Sequence, residues 1–117
     1  MNKQQFKKAV EEVGASICNE MMAVYYNVKG ADRDKISNAV AKVLGATGAA
    51  KANANRFFGK GRKAFDGPVE YNKAKQAYFR QLFKTIHADF NAEIAAALKL
   101  FNEAVPKAVK EAQKANA

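Results

Sequence analysis

The sequence predicts an all-α protein: a three-helix bundle with a long C-terminal helix and short loops, or a four-helix one if a helix divides. Three observations carry this. Apolar residues recur at steps of three and four along most of the chain. Both prolines, Pro68 and Pro106, stand where helices would begin or end. Alanine is abundant and clusters of β-branched residues are absent, which favours helix.

The first helix is expected over residues 3–28. Phe6, Val10, Val13, Ile17, Met21, Val24 and Val28 lie on one face, and Cys18, Met22 and Tyr25 widen it. Lys29 and Gly30 then read as a stop, a basic last turn with glycine just past it. Asp32 or Asp34 can cap a second helix over 33–58, whose face runs Ile36, Val40, Val43, Thr47, Ala50, Ala54 and Phe57. Small residues in the middle of that face would let another helix approach closely. Gly45 and Gly48 each cost about 1 kcal/mol against alanine inside a helix, so they mark a bend or a break, and one long, bent helix is the preferred reading.

Residues 59–67 hold three glycines and no apolar period, the signature of a loop. Asp66 or Gly67 followed by Pro68 starts a third helix running to 104. Along it Tyr78, Leu82, Ile86, Phe90, Ile94 and Leu98 are each four apart, with Phe79, Phe83, Ala97 and Phe101 beside them. A four-residue step drifts about 40° per repeat on a helix of 3.6 residues per turn. Either this helix faces different partners at its two ends or it breaks near Asp89–Asn91. Residues 1–104 are read as one domain and 105–117 as a polar, frayed tail.

With 117 residues the chain has one domain's length, and it can bury roughly 65% of its unfolded surface without metal or disulfides. Its single cysteine, Cys18, excludes an internal disulfide framework and any cysteine-rich zinc site. The basic N-terminus is not followed by an apolar run, and no stretch approaches eighteen apolar residues. A cytoplasmic protein, or one inside a particle assembled there, is expected.

The charge is less ordinary: twenty Lys and Arg against eleven Asp and Glu, or +9. Residues 29–65 carry nine cations and two aspartates, so most of the excess lies in a third of the chain. Lys35, Lys42, Ala46, Ala49, Asn53, Arg56 and Lys60 follow helical spacing roughly opposite the apolar face. Such a line of cations separated by short side chains suits a phosphate backbone. It runs into Arg56–Phe65, where four cations alternate with Phe57, Phe58 and Phe65. Cations beside aromatics neutralise a backbone and offer stacking platforms, and glycines let backbone N–H groups reach phosphate. Candidate contacts are therefore Lys35, Lys42, Lys51, Arg56, Lys60, Arg62 and Lys63, with Phe57, Phe58 and Phe65 as stacking residues. The plainer alternatives are a solvated face for Lys35 and Lys42, and closure of the core's end for the phenylalanines.

Catalytic signatures are missing. His87 is the single histidine, and Lys84 stands where a Glu-x-x-His di-iron motif needs glutamate. A Walker A loop would need glycine where Ala54 stands. Asp89 and Glu93 near His87 form the one conceivable acid–base or metal group, and helix-surface charge explains them better. The sequence points away from an enzyme and implies no cofactor or metal.

The expected function is low-specificity nucleic-acid binding, DNA or RNA, through the phosphate backbone. Lysine outnumbers arginine sixteen to four, which argues against base-specific reading. Wide apolar arcs suggest the alternative of a self-associating structural subunit, as in a virion or filament. A small inhibitor or adaptor docking on an acidic protein surface would also suit the charge. Membrane-surface binding is not expected, because the second helix lacks the bulky apolar face it needs.

Overall fold

A computed structural model describes residues 2–56 and 58–106. They form three α-helices: α1, Lys3–Asn27; α2, Arg33–Ala54; and α3, Pro68–Ala104. A short 3-10 turn, Arg62–Ala64, interrupts the loop before α3. The fold is all-α, and there is no fourth α-helix among the described residues. Phe57 and the greater part of the expected tail, 107–117, lie outside the described residues.

Local chemistry fixes the ends. Asn2 and Gln5 form a reciprocal capping box at the start of α1, with Asn2 Oδ1 accepting from the Gln5 amide at 2.8 Å. The chain leaves α1 through Gly30, which takes φ +85°, a left-handed conformation that glycine adopts without strain. Asp32 caps α2 by accepting from the Lys35 amide at 3.1 Å. Gly67 is the N-cap of α3 and Pro68 its first residue. The second helix ends at Ala54 rather than near 58. Asn55, the C-cap, replaces the α-helical pattern with a 3.2 Å bond from its amide to the Ala52 carbonyl.

α2 is the central helix, packed against both α1 and α3. Two buried clusters lie along it. Phe6, Val10, Ala46, Ala50, Ala54, Ile86 and Phe90 form one. Met21, Ile36, Ala39, Val43, Ala97 and Ala104 form the other. Half-buried Ile94 touches both. The Asp32 amide donates to the Ala104 carbonyl at 3.0 Å, so the start of α2 lies beside the end of α3 and the two run antiparallel. Val105 is buried as well, which carries the packed chain past residue 104.

Both long helices are continuous, as preferred for the second, and neither alternative break occurs. α2 continues through Gly45 and Gly48, and α3 through Asp89–Asn91. The drifting stripe of α3 is resolved by a step of three after Ile94: Ala97 is buried, while Leu98 stays 39% exposed. On α1 the expected Val13 is likewise 45% exposed and Gly14 is buried instead. Here the helices come close: a Cβ on Gly14 would lie 2.4 Å from Thr47 Oγ1. Thr47 is held by its own bond to the Val43 carbonyl, 2.9 Å.

The glycines of the two helices therefore predict opposite effects. Around Gly45 and Gly48 a Cβ would meet nothing within 4 Å. Alanine at either is expected to stabilise by about 0.5–1 kcal/mol through helix propensity. Gly14→Ala must displace Thr47, at about 1–3 kcal/mol for overpacking, and is expected to be a net loss. Urea unfolding of the three variants reads both signs.

Candidate nucleic-acid interface

α3 is longer than the helices beside it. At 1.5 Å per residue its 37 residues span about 55 Å, against about 37 Å for the 25 of α1 and 33 Å for the 22 of α2. The core shared with α1 and α2 reaches back along α3 only to Leu82 and Phe83. The first turns of α3 thus project beyond the other helices, in a molecule 64 × 26 × 19 Å in extent.

The chain leaving α2 folds along this projection and is fastened by aromatic rings. Phe58 lies 6.0 Å from Phe65, with the ring planes 29° apart. It also lies 5.8 Å from Tyr71 and 5.5 Å from Tyr78, both on α3. The Arg62 guanidinium and the Lys75 ammonium stand 5.7 and 5.9 Å from the Tyr71 ring, within cation–π range. Beside the rings opens a groove of about 580 Å³, lined by Phe58, Phe65, Ala74, Ala77, Tyr78 and Leu82, with Arg56, Lys60, Gln81 and Thr85 among its polar residues.

Cations gather at this end. Residues 55–84 carry Arg56, Lys60, Arg62, Lys63, Lys73, Lys75, Arg80 and Lys84 against Asp66 and Glu70. All eight cations are exposed. Of the sequence candidates, Arg56, Lys60, Phe58 and Phe65 share the groove, and Arg62 and Lys63 sit on the adjacent 3-10 turn. The stacking candidate Phe57 is not among the described residues.

The rest of the expected cation line does not form one surface. Ala46 is 7% exposed and belongs to the core, and Asn53 is half-buried. The short side chains read as room for a phosphate backbone instead admit α3. Its Asp89 and Glu93 line a narrow groove together with Ala46, Ala49 and Asn53, which is unfavourable for an anion. Lys35, at the far end of α2, pairs with Glu103 at 4.0 Å. Lys51 pairs with Glu11, and its ammonium holds that carboxyl below the usual carboxylate range. Lys42 is exposed.

Tyr71, Lys75 and Tyr78 were not among the residues singled out for binding. A signal existed: Tyr71, Ala74, Tyr78 and Leu82 step by three and four, extending an apolar face past the reach of the shorter helices.

Among the described residues, no group of three His, Cys, Asp or Glu could hold a metal ion. His87 packs against the Phe6 ring at 5.0 Å, and burial pushes the Cys18 thiol up. Among the described residues no helix is long and apolar enough to cross a membrane. No protein-family model, curated protein or solved structure matches this chain.

Proposed function

We propose that this protein binds nucleic acid through the phosphate backbone, with low sequence specificity and without catalysis. One observation carries the reading: eight exposed cations against two carboxylates in residues 55–84, at the projecting end of α3. A basic end of this kind attracts a polyanion by neutralising phosphates and releasing counterions. Backbone contact of that sort carries no sequence information. The expected setting is the cytoplasm or a particle assembled there.

The test is the light-scattering mass of the purified protein with an oligonucleotide of mixed sequence. A complex is expected at about 50 mM salt and its loss well above 200 mM, because backbone binding falls steeply with ionic strength. No complex at low salt would rule the proposal out.

Self-association is the second reading. Val13, Leu44 and Tyr26 are 45%, 61% and 71% exposed, large apolar and aromatic surfaces that a second copy could cover. A fixed multimer that ignores the oligonucleotide would favour a structural subunit. A monomer that ignores it leaves an acidic protein surface as the partner suited to the charge.

A further inference from the structure

The geometry points to the groove beside Phe58 as a seat for one unpaired base of a single-stranded nucleic acid. This rests on the nucleic-acid reading above and narrows it from a charged surface to a preference for single strands.

Three features of the groove select that ligand. Its volume, about 580 Å³, falls within the roughly 300–1,000 Å³ of small-molecule sites, room for a nucleotide but not for a duplex. Its walls are aromatic and aliphatic: Phe58, Phe65 and Tyr78 are each half-buried, held against one another yet reachable by solvent. Among the described residues its charged lining is purely cationic, Arg56 and Lys60, with no carboxylate.

An apolar ligand without charge would gain nothing from the two cations. A free phosphate would gain nothing from the rings. A nucleotide in a single strand has both halves, a flat π-face and a phosphate beside it. In a duplex the base faces are covered by their neighbours, and only edges are offered in the grooves. Gln81 and Thr85 are the uncharged amide and hydroxyl groups added at the lining. Sparse hydrogen-bonding groups suit stacking on any base more than reading a particular one.

Tyrosine emission supplies the test. The chain has four tyrosines and no tryptophan, and only Tyr78 lines the groove. Tyr25→Phe, Tyr26→Phe and Tyr71→Phe together leave Tyr78 as the sole emitter. This protein is titrated with a single strand of about twelve thymidines, within the span one small module covers, and with a hairpin duplex at the same salt. The single strand is expected to quench Tyr78 and to bind about tenfold tighter than the duplex, the scale of one base stacked on an aromatic ring. Ala77→Leu fills the groove from an exposed helix position. It is expected to abolish the quenching and the preference while salt-dependent binding of both ligands persists.

Equal affinity for the two ligands, or a bound single strand that leaves Tyr78 emission unchanged, overturns the base seat and leaves the backbone reading intact. Failure of both ligands to bind overturns that wider reading, and the seat with it.

Discussion

Phe6→Ala is expected to destabilise the protein by about 3–5 kcal/mol, the range for removing a buried phenylalanine. Phe6 is 3% exposed and ties the start of α1 to the middle of α3. Its ring meets Phe83 edge-on at 5.3 Å and His87 at 5.0 Å. On the α2 side its cluster holds Ala46, Ala50 and Ala54. Alanines have no rotamers with which to fill a void, so the cavity would persist and the loss should fall high in the range. Against a total of about 5–15 kcal/mol for a small domain, this is a large fraction. Urea unfolding measures it, with Tyr26→Ala as the control. Tyr26 is 71% exposed, and its loss should stay within about 0.5 kcal/mol. A Phe6 loss below about 1 kcal/mol would mean that α1 is not docked through this residue.

The same crossing shows where sequence periodicity succeeds and where it misleads. The steps of three and four placed all three helices, and Asp32, Gly30 and Pro68 marked their ends, because caps and breakers act within a turn of themselves. What periodicity misread depends on how closely helices approach. A count of apolar side chains puts Val13 inside. The actual contact selects Gly14, since only a residue without Cβ fits against Thr47. Ala97 displaces Leu98 in the same way, and Ala46 leaves the expected cation line for the core. In each case a small residue holds a buried position against another helix. No hydropathy pattern reports that.

The candidate interface was legible in part for a related reason. Arg56, Phe58, Lys60, Arg62 and Phe65 are adjacent in sequence, and their composition alone marked them. Tyr71, Lys75 and Tyr78 join them only because the loop folds back along α3. That return follows from the mismatch in length: an apolar face on α3 extends beyond α1 and α2, and the returning loop covers it. Lys35 satisfied the spacing rule and Lys51 was a candidate for its charge, but they meet carboxylates from other helices, Glu103 and Glu11. Spacing along one helix carries no information about those partners.

These differences make the candidate cations separable by experiment. Replacing Arg56, Lys60, Arg62 and Lys63 together by alanine is expected to abolish most binding. With about 0.7 counterions released per single-strand phosphate contact, four lost contacts lower the salt slope by about 3. At about 50 mM salt that amounts to roughly a thousandfold loss of affinity. The four side chains are exposed and outside the buried clusters, so stability should barely change. Replacing Lys35, Lys42 and Lys51 removes nearly as much charge and should cost far less. Glu103 and Glu11 beside Lys35 and Lys51 offset part of their charge, and Lys35 lies on the order of 30 Å along α2 from Arg56. Fluorescence anisotropy of a labelled single strand across a salt series measures both sets. Equal losses would mean that net charge alone drives association. A larger loss from the lysine set would move the binding surface onto α2.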